Sequence, residues 1–117
     1  MVKTKSRVYF RLLALCWALD QEQQFGLDAT SVQLLREIGI AVFNEKPKSV
    51  TELMALSHVA SAATIHRKLQ QLIEAGLVEV GSVQPDRRTK RLHLASAGKK
   101  YFSSRDKLIA VAMNEVT

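Results

Sequence analysis

Four positive charges fall within five residues at Arg87, Arg88, Lys90 and Arg91, directly behind an acid at Asp86. Upstream, a second polar set is spread over Ser61, Ala63, Thr64, His66, Arg67, Lys68, Gln70 and Gln71. Guanidinium groups grip phosphate as a two-pronged fork, and Arg and Gln can each make paired hydrogen bonds to base edges. The chemistry on offer is recognition of double-stranded DNA rather than the making of bonds. Nowhere do a nucleophile, a base and an orienting group stand together, and neither a glycine-rich phosphate loop nor paired carboxylates at a shared site can be read from the spacing. An enzyme is the weakest reading.

Charge placement points the same way. Residues 1–60 hold seven Lys or Arg against six acids, residues 61–107 hold ten against four, and residues 108–117 hold a single acid. Nearly all of the net +6 therefore lies in one segment, where a concentrated positive field attracts phosphate and releases its counterions. The plainer alternative is a basic surface that only keeps the protein in solution. A single cysteine, Cys16, rules out an internal disulfide, and three scattered histidines give no metal-ligand spacing, so no cofactor is expected. The apolar stretch at 12–19 is too short to cross a bilayer and lacks a signal cleavage site, which reads as a cytoplasmic protein without membrane association. At 117 residues there is room for one domain with one core, burying about two-thirds of the unfolded surface.

To present the polar sets, the chain has to supply a helix and a hairpin. Residues 61–75 predict the helix, with Ser61 and Thr64 offering a cap and Gly76 a C-terminal stop. With Ile65, Leu69 and Leu72 set inward, a step of about 100° per residue turns Ala63, Thr64, Arg67, Gln70 and Gln71 outward and leaves His66 and Lys68 on the flanks. A merely solvated face would have a similar composition. Segments 77–83 and 91–94 predict two strands joined by a basic tip at 84–90, where Pro85 and Asp86 suit a turn. Packing does not account for so basic a tip.

The other segments read as scaffold. Asp28 or Thr30 caps a helix with Val32, Leu35, Ile38, Val42 and Phe43 as its core face, ending before Pro47. Ser49 and Glu52 form a capping box for a short helix carrying Leu53, Met54 and Leu56 and stopping near His58, a cation-favouring end. Residues 8–19, VYFRLLALCWAL, predict a helix apolar all round except at Arg11, with the pattern broken by QEQQFG at 21–26. Such a helix has to be buried, either against a second subunit or within its own chain, with Trp17 as an anchor. Ser96 caps a last helix through Tyr101, Phe102, Leu108, Ile109 and Val111, expected to return to the first. His93, on a strand, is expected to be exposed.

Four helices, a hairpin and a helix make a winged-helix layout, mainly α with a small β-hairpin. Two stretches are more specific than the layout: SAATIHRKLQQLIEAGLV at 61–78 and DRRTKRLHLASAG at 86–98. Together they resemble the recognition helix and wing of the MarR family of bacterial transcription regulators. In that family the helix ends in Ala-Gly-Leu-Val, and the wing carries Asp-x-Arg before a Leu-x-Leu-Thr-x-x-Gly exit. The resemblance spans about residues 30–102. It implies a winged helix-turn-helix at 28–95, with its wing at 84–91, between N- and C-terminal dimerisation helices at 1–20 and 96–117. It further implies a homodimer on a pseudopalindromic operator, with recognition helices in successive major grooves and wings in the flanking minor grooves.

Carried over by position, the resemblance puts Ser61, Ala63, Thr64, His66 and Arg67 on the recognition helix and Asp86 and Arg88 on the wing motif. Asp86 would orient Arg88, and Arg87 or Arg88 would enter a narrow minor groove of enhanced negative potential. Ala95 departs from the usual Thr, and a length of 117 is short for a family whose terminal helices form a ligand crevice, which leaves a small-molecule effector open. LCWA at 15–18 is faintly like the reactive-cysteine context of the family's hydroperoxide sensors, making Cys16 a redox candidate. With Tyr9 and Tyr101 the only tyrosines and Arg11 the only nearby cation, a structural cysteine is the reading kept. Two other functions fit the layout: a protein-interaction module whose wing meets an acidic partner, and a DNA-binding role in plasmid or phage maintenance.

Overall fold

The structure, a computed structural model, describes residues 7–23, 25–82 and 90–114. In chain order these form α1 (Val8–Gln23), α2 (Ala29–Phe43), α3 (Val50–Met54), α4 (Ala62–Glu74), β1 (Val78–Ser82), β2 (Lys90–Leu94) and α5 (Ser96–Asn114). They fall into two compact units, one of Leu27–Lys99 and one of Met1–Gly26 with Lys100–Thr117.

The unit Leu27–Lys99 holds most of the buried apolar residues. Leu34, Leu35 and Ile38 of α2 are fully buried, as are Leu53 of α3, Ile65 and Leu72 of α4, and Leu92 of β2. The helix starts follow the expected capping chemistry. Asp28 accepts the Ser31 backbone N–H at 2.8 Å, and Ser49 and Glu52 exchange both bonds of a capping box, at 3.1 and 2.8 Å.

Helices α2 and α4 end alike but with different residues. Lys46 N–H reaches Ala41 O and Glu45 N–H reaches Val42 O, while Leu77 N–H reaches Leu72 O and Gly76 N–H reaches Ile73 O. Both are left-handed caps, with φ of 60° at Glu45 and 76° at Gly76.

The hairpin is antiparallel, pairing Val78 with Leu94, Val80 with Leu92 and Ser82 with Lys90. Its returning strand is stitched to the segment before α3, because Leu92 N–H donates to Lys48 O at 2.8 Å and Ser49 bridges Arg91. Past β2, Ala95 N–H donates to Leu77 O at 3.0 Å, so the chain entering α5 crosses tightly over the start of β1. A Cβ at Gly98 would lie 2.0 Å from Leu77 O, a distance that no side chain can occupy. Close approach of two backbones is the reason for glycine there.

Several expectations need correction. Phe43 is 86% exposed, and Val32 and Val42 are only half-buried; Leu34 and Ala41 take those core places, because the buried stripe of α2 is turned by one residue. Helix α1 runs to Gln23, since Gln and Glu are adequate helix formers and Gly26, at φ 70°, lies beyond its end. Ser96 is the first residue of α5, and the carbonyl accepting the first helical bond, from Lys99 N–H, belongs to Ala95. The departure from Thr therefore falls on the cap position. Lys90 belongs to β2 rather than to the tip, and His93 is half-buried beside Gly81. The tip itself, with Asp86, Arg87 and Arg88, lies outside the described residues.

In the other unit, Arg105 of α5 bonds Gln23 of α1 at 3.3 Å, pairs with Asp20 and lies 3.4 Å from the Tyr101 ring centroid. Phe25 meets Tyr101 edge to face. Yet no residue of α1 is buried, with Phe10 71% and Trp17 66% exposed. Cys16 is half-buried on this helix.

Candidate nucleic-acid interface

Helix α4 segregates its side chains sharply. Ile65, Leu69 and Leu72 are buried, and Ala63, His66, Arg67, Gln70 and Gln71 are exposed, as a 3.6-residue repeat requires. At its start the Ser61 hydroxyl accepts the Thr64 N–H at 3.3 Å and donates to Thr64 Oγ1 at 3.0 Å. Both hydroxyls thus serve the cap, and Thr64 is half-buried. Small residues at Ala62 and Ala63 leave this helix start open to close approach, and its free N–H groups favour an anion.

Two of the sequence-predicted cations are engaged internally. Lys68 Nζ lies 2.5 Å from Asp28 Oδ2, tying the middle of α4 to the cap of α2. The Lys68 ammonium and the Ser31 N–H together lower the Asp28 carboxyl from 3.8 to about 2. Arg91 Nη1 lies 2.7 Å from Glu52 Oε1, the same oxygen that accepts the Ser49 N–H, and reaches Pro47 O at 3.4 Å. Glu52 is held below its ordinary value chiefly by that Ser49 N–H, with the Arg91 charge contributing. Lys90 is exposed at the start of β2, and among the described residues neither it nor Arg67 has an acidic partner. A groove of about 490 Å³ beside the first half of β2 is lined by Glu45, Lys46, Pro47, Lys48, Glu52 and Arg91.

No protein-family model and no curated protein matches the sequence. Solved structures do match. An E. coli MarR variant complexed with operator DNA aligns with a TM-score of 0.57 over 98% of this chain and 75% of that one, at 19% identity. The transcriptional regulator Tm0710 of Thermotoga maritima gives 0.63 over 98% and 79% at 16% identity, and MepR of S. aureus, in a DNA complex, gives 0.64 over 92% and 79% at 14%. This chain has the MarR winged-helix fold.

Within the MarR fold, α3 and α4 are the two helices of the helix-turn-helix and β1–β2 is the wing. The fold brings together on one helix the exposed residues singled out from sequence, and sets Lys90 and Arg91 at the wing's returning strand. Sequence reasoning missed the two ion pairs. Asp28 and Glu52 are legible in sequence only as helix caps, and their partners lie 40 and 39 residues away, beyond any local periodicity. The only available signal was an acid at each cap in a chain short of acids. Among the described residues no cluster of His, Cys, Asp or Glu could hold a metal, and no helix is long and apolar enough to cross a membrane.

Proposed function

We propose that this chain is a sequence-specific, double-stranded DNA-binding transcriptional regulator acting as a homodimer. The observation that carries the reading is the two-sidedness of α4. Its apolar residues are used up by the core, so that the Arg, His and Gln side chains stand outward on a fold shared with MarR and MepR proteins crystallised with DNA. Ala63, His66, Arg67, Gln70 and Gln71 face the major groove, with Ser61 and Thr64 forming the helix start that approaches the backbone. Lys90 meets phosphate, and Arg87 or Arg88 of the wing motif enters the minor groove. Lys68 and Arg91 act through their ion pairs rather than as free contacts. Dimerisation uses α1 and the later part of α5, where Tyr9, Phe10, Leu13 and Trp17 with Ile109, Val111 and Met113 are exposed apolar groups.

The test is fluorescence anisotropy of a labelled mixed-sequence duplex titrated at several salt concentrations, followed by selection of a preferred site from random sequence. Binding is expected to fall steeply with salt, by about 0.9 in log–log slope per phosphate contact. Lys90→Ala should lower that slope by about one and weaken all sequences alike, whereas Arg67→Ala should relax site preference. Absence of binding at low salt would overturn the regulator reading and put a protein-interaction module in its place. An unchanged preference in Arg67→Ala would displace the assigned reading face.

A further inference from the structure

The two ion pairs beside the helix-turn-helix are built alike. In each, the acid is the more exposed partner: Asp28 is 51% exposed against 17% for Lys68, and Glu52 is 57% exposed against 31% for Arg91. A phosphate arriving at either place meets a carboxylate first, with the cation behind it already taken. In each, the acid also caps a helix, through Ser31 N–H or Ser49 N–H. Capping does not require the charge, because Asn caps as well as Asp, and Gln serves as well as Glu in a capping box. The charge therefore has a consequence separate from the fold. It neutralises a cation at the edge of a basic face, and the Glu52–Arg91 pair shares its groove with Lys46 and Lys48.

We propose that Asp28 and Glu52 are specificity determinants: by holding Lys68 and Arg91 in neutral pairs, they keep two cations off the phosphate backbone and suppress sequence-independent binding. This rests on the DNA-binding reading above. Non-specific affinity follows the number of phosphates neutralised, and base contacts contribute nothing to it. In a non-specific complex the protein can shift to any register at which a released cation finds a phosphate. In a specific complex the base contacts fix the register, so a released cation gains less there. Discrimination between sites therefore falls when the acids lose their charge, although no base-reading residue has changed.

Asp28→Asn and Glu52→Gln keep the capping oxygens and remove the charge. Anisotropy titrations of the full chain on a mixed-sequence duplex, and on a site selected by the wild type, decide the matter. Each amide variant should steepen the non-specific slope by about 0.9, which corresponds to roughly eightfold tighter non-specific binding at about 0.1 M salt. Its ratio of specific to non-specific affinity should fall. Lys68→Met alone should leave the slope unchanged, and Asp28→Asn with Lys68→Met should return the slope to the wild-type value. An unaltered slope in a folded Asp28→Asn protein overturns the proposal, as does a shallower slope in Lys68→Met, which would mean that Lys68 contacts phosphate directly. If Asp28→Asn melts below the assay temperature, Lys68→Met and Glu52→Gln carry the decision. A wild type that binds no duplex removes the DNA-binding reading and this inference together, whereas a binding wild type with indifferent variants removes this inference alone.

Discussion

Helices α1 and α4 are of similar length and unlike in every other respect. Helix α4 has three apolar residues on one stripe, Ile65, Leu69 and Leu72, and all three are buried in its own unit. Helix α1 is apolar on nearly every side, and none of its residues is buried. A helix with a narrow apolar stripe completes its burial with one neighbouring layer and leaves its far side free for polar work. A helix apolar all round cannot do so inside a small chain, and the area it leaves exposed is what a second copy would cover. The apolar stripe of α4 is thus covered within its own unit, whereas the apolar residues of α1 stay exposed or half-buried.

The largest effect that sharpens the contrast is expected from Leu69→Ala, which leaves a void under α4 and should cost about 3 kcal/mol in denaturant unfolding at every protein concentration. Gly98→Ala belongs at the same level. Its methyl meets the Leu77 carbonyl, and the backbone there can move only by parting α5 from β1, so a loss of about 3 kcal/mol in thermal unfolding is expected.

Trp17→Ala should behave in the opposite manner. Because the side chain is two-thirds exposed in the chain, the cost should appear as a dimer dissociation constant raised about tenfold or more in sedimentation equilibrium. A wild type that stays monomeric at high concentration would break the comparison at α1.

Smaller effects are expected at the two left-handed caps. Gly76→Ala has open space around it, so its cost is purely conformational and should be about 1 kcal/mol, whereas Glu45→Gly should gain about as much by relieving a non-glycine residue at positive φ. The least is expected from pH. The Asp28 carboxyl is lowered to about 2 from 3.8, so the unfolded chain takes up its proton first as acid is added. Its contribution to stability is full above about pH 4 and is lost as pH falls toward 2. Asp28→Asn should therefore flatten the acid limb of the stability profile in that window while leaving the limb above pH 5 alone.

Much of the fold was legible because its signals are local. Ser49 with Glu52 and Ser61 with Thr64 announce helix starts within four residues, and the 65-69-72 spacing announces the buried stripe of α4. The candidate face followed directly, since whatever lies opposite a buried stripe is exposed. Phe43 is ambiguous in sequence because at the C-terminal end of a helix the apolar pattern of α2 admits two stripes a residue apart, and only the neighbours choose between them. At Ser96 the sequence is ambiguous, because a serine before a helix fits one position as well as the next, while the crossing of Ala95 over Leu77 decides which residue leads. Lys68 and Arg91 looked like free cations because charge counting along a chain cannot see an acid forty residues away.

The set of elements, their polarity and the excess of positive charge in the second half follow from residue order alone, because each depends on neighbours within a helical turn or a strand pair. Which described cations are paired, which glycine meets a carbonyl and which apolar helix is left exposed become visible only once the chain is folded. Each of these depends on the meeting of groups far apart in the chain, where burial and ion pairing are settled by distance in space.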